Sequence, residues 1–150
     1  MNGLYHLAYV SDAQLFEPGQ PEDTALLQWQ LQQILEAAKR NNSLLQITGA
    51  LLYSGGHFAQ VLEGPKAAIN ERFRRISQDV RHTHVTPLIY EPADVRQFAN
   101  WSMVLCGSGE VHDLPRNFEA KPSPGSVEAG DLGKSIVTSL ATAIDRRSMP

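Results

Sequence analysis

The sequence predicts an α+β sandwich: a mixed five-stranded sheet with two helices on one face, plus a C-terminal helix. Three observations predict it. Apolar runs of strand type alternate with stretches of helical spacing in the order βαββαββ. The middle two strands are the arms of a hairpin, Gln46 to Pro65, that turns at Ser54-Gly55-Gly56. A last apolar repeat, Leu132, Ile136, Leu140 and Ile144, stands apart behind a stretch rich in Gly, Pro, Ser and charge. The order fits a ferredoxin-like fold. Such a fold carries many activities and indicates none by itself.

In chain order, Leu4 to Val10 reads as the first strand, with Tyr5, Leu7 and Tyr9 on one face and His6, Ala8 and Val10 on the other. Both faces are mostly apolar, as in a central strand covered on both sides. Ser11 to Asp23 reads as a loop broken by Pro18, Gly19 and Pro21. Thr24 to Arg40 is the first helix, on the stripe Leu27, Leu31, Ile34, Leu35 and Ala38, with Pro21, Glu22 and Asp23 at its start and Asn41-Asn42 as its exit. After the hairpin, Pro65 opens a second helix whose stripe is Ile69, Phe73, Ile76 and Val80. Val85 to Tyr90 is the fourth strand. Pro87 removes a ladder donor there, which places the strand at an edge or gives it a bulge. Asn100 to Cys106 is the fifth, with Trp101, Met103 and Leu105 on one face. The last helix runs from Asp131, its expected N-cap, to Arg147. The divisions are then residues 1–106, a domain; 107–130, a linker; and 131–147, an amphipathic helix.

A chain of 150 residues suits one domain with a real core. Its net charge of -3 lacks the basic excess of a nucleic-acid binder. The single cysteine, Cys106, cannot form an intramolecular disulfide and points to a reducing, cytoplasmic setting. No apolar run is long enough to span a bilayer, and Met1-Asn2-Gly3 lacks the basic head of a signal peptide.

Single signals for chemistry are weak. There is no Walker loop, GxGxxG or GxSxG. His82 and His84, near Asp79, could present a metal site, but hydrogen-bonded or surface histidines at a helix-to-strand turn are the commoner meaning. Arg72, Arg74 and Arg75 could hold a phosphate, but a solvated helix face is commoner. Gln60 is a neutral amide within the apolar run Phe58 to Leu62, and burial obliges it to find partners. A backbone group, a water or a bound polar ring would each serve.

The motifs in order are more specific: Tyr9-Val10-Ser11, Asn41-Asn42, Ile47-Thr48-Gly49, Phe58-Ala59-Gln60-Val61-Leu62-Glu63-Gly64, Asp79-Val80-Arg81-His82 and Trp101-Ser102-Met103. From Leu4 to about Cys106 this series resembles the BLUF domain, a blue-light sensor that holds flavin without a covalent bond. The resemblance implies FAD as cofactor, with FMN as the alternative. It implies that Tyr9 gives an electron and a proton to the excited flavin. Gln60 lies between that phenol and the ring, and rearranges by rotation or tautomerisation so that the absorption shifts to the red. Asn42 would bond the pyrimidine edge, and Asn41 stands where some members have His. Asp79 and Arg81, with the adjacent His82, would surround that edge and the ribityl end. Ile76 would pack on the ring, Arg75 lie near the ribityl phosphate, and Trp101 and Met103 change environment on illumination. Ala59 stands where a second Phe is common, which would loosen packing beside Gln60. The loop from Asp12 to Asp23 is longer than in typical members.

After Cys106 only a linker and one helix remain. The expectation is therefore a short stand-alone sensor, not an enzyme, that signals through an unidentified downstream protein or its own homo-oligomer. The competing expectations are a small ferredoxin-like flavin-dependent oxidoreductase and an interaction module with no cofactor.

Overall fold

The computed structural model describes residues 3–16, 23–111 and 121–147. Its elements are β1 (Leu4–Ala13), α1 (Thr24–Leu44), β2 (Thr48–Ser54), β3 (His57–Pro65), α2 (Lys66–Ser77), β4 (His82–Pro92), β5 (Val104–Gly107) and α3 (Val127–Arg147), with a 3-10 turn at Ser108–Glu110. The sheet order is β4-β1-β3-β2-β5, antiparallel except for the parallel pair β2 and β5. This is the expected mixed five-stranded sheet.

Strand periodicity divides the core into two layers. Leu7, Tyr9, Leu51, Phe58 and Leu62 face α1 and α2, where Leu31, Leu35, Ala38, Ile69 and Ile76 meet them. Ala8, Val10, Ala50, Leu52, Ala59 and Val61 face the other way, onto Leu132, Ile136, Leu140 and Ile144 of α3. Each of these large α3 side chains stabilises the fold by roughly 2 kcal/mol. The apolar stripe of α3 is therefore occupied by the sheet. Ala59 lies on this α3 side, not on the face of Gln60. Among the described residues no helix is long and apolar enough to cross a membrane.

The hairpin turns as expected. Gly55 and Gly56 have φ of 56° and 87°, and Ser54 pairs with His57 across them, as a two-residue turn of the primed kind requires. Gly49 serves a different need: a Cβ there would lie 2.0 Å from the carbonyl oxygen of Val61. That oxygen is part of the β3 ladder and cannot move aside. Gly49→Ala is expected to cost about 3 kcal/mol or more, read as a lower urea midpoint at unchanged slope; an unchanged midpoint would contradict the packing described.

Several element boundaries differ from expectation, each for a local reason. β1 extends to Ala13 because its last residues pair on both sides, with β3 at Asp12–His57 and with β4 at Ala13–His82. α1 begins where expected, Asp23 accepting a hydrogen bond from the Leu26 amide at 3.1 Å, but it continues to Leu44. Asn41 and Asn42 are thus in its last turns, and the chain reverses through Gln46 at φ 59°. α2 ends at Ser77, so Val80 lies outside the helix and is 85% exposed instead of buried. β4 spans His82–Pro92 at a sheet edge, with register shifts beside Tyr9, the partner of Pro87. Both devices that accommodate a strand proline are present. β5 begins only at Val104, so Trp101 and Met103 precede it. α3 begins at Val127, and Ser126 Oγ, not Asp131, accepts from a first-turn amide, that of Ala129. Pro18, Gly19, Pro21 and Glu22, and residues 112–120 of the expected linker, lie outside the described residues.

Candidate functional site

Between α1 and α2 and the sheet lies a cleft of about 260 Å³. Its α1 wall is Ile34, Ala37, Ala38 and Asn41, one helical stripe of mostly small side chains. Its α2 wall is Arg72, Arg75 and Ile76, continued by Asp79, Arg81 and His82. The floor is Tyr9, Gln60, Leu51 and Phe58.

Register builds the floor. Tyr9 pairs with Gln60, and Gln60 with Leu51. Residues directly opposite in antiparallel strands point to the same face about 5 Å apart. The Tyr9 hydroxyl donates a hydrogen bond to Gln60 Oε1. The other end of the amide, Nε2, donates to Met103 Sδ at 3.5 Å. The two contacts define the amide's orientation, since the phenol proton needs an oxygen and the thioether can only accept. Burial pushes the Tyr9 phenol far above the ordinary tyrosine range; the Arg72 charge opposes this and Asp79 adds to it. The phenol therefore stays protonated and donating.

The polar rim is built by local ion pairs. Asp79 accepts from Arg81 Nε and Nη2 at 3.0 and 2.6 Å, and from the Arg81 amide at 2.9 Å. Burial works against ionisation of Asp79, but these bonds and the Arg81 charge outweigh it and hold the carboxyl below its usual range. Arg75 pairs with Glu71 at 2.7 Å and is largely exposed. His82 is buried: its Nε2 donates to the Ile76 carbonyl at 2.5 Å, and its Nδ1 meets Ser11 Oγ at 3.0 Å. The carbonyl can only accept, so Nε2 carries a hydrogen. His84 points elsewhere, to Asp12 at 2.9 Å, so the metal arrangement considered for these two imidazoles does not form. Among the described residues no group of three or more His, Cys, Asp or Glu is placed to hold a metal.

A family model for BLUF, described as sensors of blue-light using FAD, matches residues 4–104. This chain belongs to the BLUF family. Among its relatives, the blue light- and temperature-regulated antirepressor BluF of Escherichia coli (strain K12) is 36% identical over 75 residues, 50% of this chain and 19% of that protein. The photoactivated adenylate cyclase subunit beta of Euglena longa is 43% identical over 74 residues, 49% of this chain and 9% of that protein. The chain thus corresponds to no more than 19% of the length of either curated relative. Among solved structures, the BLUF protein BlrB in its dark state superposes with a TM-score of 0.69 at 34% identity, covering 93% of this chain and 98% of that one.

Against the site expected of a BLUF chain, the fold brings Tyr9, Asn41, Gln60, Arg75, Ile76, Asp79, Arg81 and His82 to the cleft. Met103 lies behind Gln60, fully buried. Asn42 is not in the cleft wall: it is buried, its Nδ2 donating to the Ser102 carbonyl at 2.8 Å and its Oδ1 accepting from Arg72 Nε at 3.1 Å. Trp101 is on the wrong side of the sheet for the site and packs with the α3 layer. It was expected on one face with Met103, but neither residue is in a strand, so strand alternation does not apply. Arg72, Ala37, Leu51 and Phe58 also line the cleft, and sequence reasoning did not assign them to it. Arg72 could have been found from its spacing: it precedes Ile76 by one turn and follows Ile69 by three residues, so it borders the buried stripe.

The residues present fit a flavin. A tricyclic ring needs apolar walls and a few placed polar groups at one edge. Here Ile34, Ala37, Ala38 and Ile76 supply the walls, with the alanines leaving room. Gln60, Asn41 and the arginines supply donors, and Gln60 and Asp79 supply acceptors.

Proposed function

We propose that this chain is a blue-light photoreceptor whose switch is the Tyr9–Gln60 pair, and that it signals by contact with another protein or further copies of itself, not by turnover. The observation that carries the reading is the floor of the cleft: a buried phenol donating to a buried amide whose far end rests on a sulfur. FAD is the expected flavin, as the family description supports, with Arg75 and Arg81 beside its polar extension. A relative named as an antirepressor and another named as a cyclase subunit support output through a protein partner or fused domain.

When bound, flavin supplies blue-light absorption and an electron acceptor for photochemistry. The protein supplies the bistable element. In the orientation observed, Gln60 Oε1 receives the Tyr9 proton donor and Nε2 faces Met103. Reversing the amide would turn Nε2 toward the phenol oxygen, which can accept, and Oε1 toward a thioether, which cannot donate. In the protein alone, the reversed state has one fewer hydrogen bond, worth about 1 kcal/mol. A donor or acceptor on a ligand in the cleft, or withdrawal of the phenol proton, is enough to change which state wins. The reversal moves no net charge and needs little space, so it suits a packed core. Its effects leave through Met103, directly before β5, and through Ser102, whose carbonyl Asn42 holds.

The test is the absorption spectrum before and after blue light. Purified protein, expressed with flavin available, is expected to be yellow and to shift reversibly to the red by a small amount. Colourless protein, or yellow protein with no reversible shift, would overturn the reading. Tyr9→Phe removes the hydroxyl donor while keeping the ring contacts with Phe73 and His82. It is expected to bind flavin within a few fold of the parent and to lose the normal shift; a normal shift would remove Tyr9 from the switch.

A further inference from the structure

Three arginines line the cleft, and two are neutralised by carboxylates of their own helix or turn: Arg75 by Glu71 and Arg81 by Asp79. The third, Arg72, has no carboxylate within ion-pairing distance among the described residues. Glu71, its chain neighbour, is taken by Arg74 and Arg75, at 2.9 and 2.7 Å. The only hydrogen bond found for Arg72 among the described residues runs from Nε to Asn42 Oδ1. Its two Nη groups, four N–H donors, are left over. Yet the side chain is half-buried, and burial lowers its pKa. Withdrawing a guanidinium from water without a counter-charge is costly. An exposed rotamer along α2 would avoid that cost. The cost is offset where a ligand brings electron-rich oxygen to the same place.

Resting on the flavin reading above, we propose that Arg72 is a ligand-binding residue of the cleft: its free Nη donors take a carbonyl oxygen of the ring's polar edge while Nε holds Asn42. The location selects the ring over a phosphate. Arg72 is tied to Asn42, whose other bond is to the Ser102 carbonyl next to Met103, and it lines the same cleft as Tyr9 and Gln60. It therefore belongs to the end of the cleft where the switch lies. The exposed rim at Arg75, whose side chain is 62% exposed, is where a phosphate would meet solvent.

The test is a titration of flavin-free protein with riboflavin, FMN and FAD, followed by fluorescence quenching, for the parent, Arg72→Leu and Arg72→Lys. Arg72→Leu is expected to weaken all three flavins alike, by about tenfold or more, as befits loss of one hydrogen bond to a charged group. Arg72→Lys, which keeps the charge but loses the fork, is expected to recover part of that loss. Equal affinities for parent and Arg72→Leu would overturn the proposal. So would a loss confined to FMN and FAD, because that pattern assigns Arg72 to a phosphate. If Arg72→Leu fails to give a cooperative unfolding transition, Arg72→Lys decides alone: a uniform loss across the three flavins supports the proposal and an unchanged profile overturns it. A parent that binds none of the three would sink the flavin reading itself, whereas a parent that binds and switches beside an unaffected Arg72→Leu sinks only this inference.

Discussion

Gln60→Leu protein is expected to take up flavin, stay yellow, and show no red shift under blue light at any intensity. Leucine fills nearly the same volume but offers neither donor nor acceptor, so there is no second orientation for light to select. The effect should be complete, because among the described residues no other amide lines the floor next to Tyr9: Asn41 is on the α1 wall and Asn42 is held behind it by Ser102 and Arg72. The substitution also leaves the buried Tyr9 hydroxyl without its acceptor, at a cost of about 1–3 kcal/mol in stability. Measuring both quantities separates the roles. A stability loss with a preserved shift would mean that Gln60 is only a structural partner of Tyr9. Loss of the shift with flavin bound is the result expected of a switch residue.

Glu63→Leu is expected to be among the most destabilising single changes in the chain, by about 4 kcal/mol. Glu63 is 1% exposed, in β3 three residues after Gln60. One carboxylate oxygen accepts from Thr48 Oγ1 at 2.8 Å and the Phe98 amide at 3.0 Å; the other accepts from the Gln97 amide at 2.5 Å. Arg96 completes the network, donating to Thr48 Oγ1, the Glu63 carbonyl and the Gln46 carbonyl. Removing the carboxylate strands the buried Phe98 N–H, at a cost on the order of 1–3 kcal/mol, together with the part-buried Gln97 N–H and the Thr48 hydroxyl. Against a total of about 5–15 kcal/mol, that leaves little. Glu63→Gln, which keeps one oxygen, should fall between parent and Glu63→Leu in a urea titration. A Glu63→Leu midpoint equal to the parent's would mean that the 96–98 turn does not depend on this anchor. The same turn leads to Ser102 and Met103, so a surviving variant is also expected to switch less uniformly.

These two residues show what could be read in advance. Both lie in the stretch Phe58 to Gly64, whose apolar run after a glycine turn marked a strand and whose order marked the family. Gln60 could be singled out because an amide among apolar residues demands partners. The demand could be read, but not which partner met it. Glu63 carried no such mark, since a charged residue near a strand end usually points to solvent. Only the return of residues 96–98 across the end of β3 makes it an internal cap. Arg72 is similar: among Arg74 and Arg75 it looks like part of a solvated face, and only the last turns of α1 turn its Nε toward Asn42. Trp101 and Met103 were placed together by alternation, and the structure puts them in opposite layers because β5 starts after both.

Local order thus determined what depends on local physics. Glycine pairs close a hairpin, apolar spacing commits a stretch to helix or strand, and a chain of short motifs assigns the family. Tertiary structure decided what depends on residues meeting across the sequence: that Tyr9 falls opposite Gln60, that Met103 and not Trp101 backs the amide, that α3 packs its apolar stripe on the sheet, and that among the described residues one arginine of the cleft has no carboxylate partner. The physical reason is register. A side chain's periodicity is inscribed in its own segment, but its neighbour is chosen by strand pairing and helix packing between segments far apart in the chain.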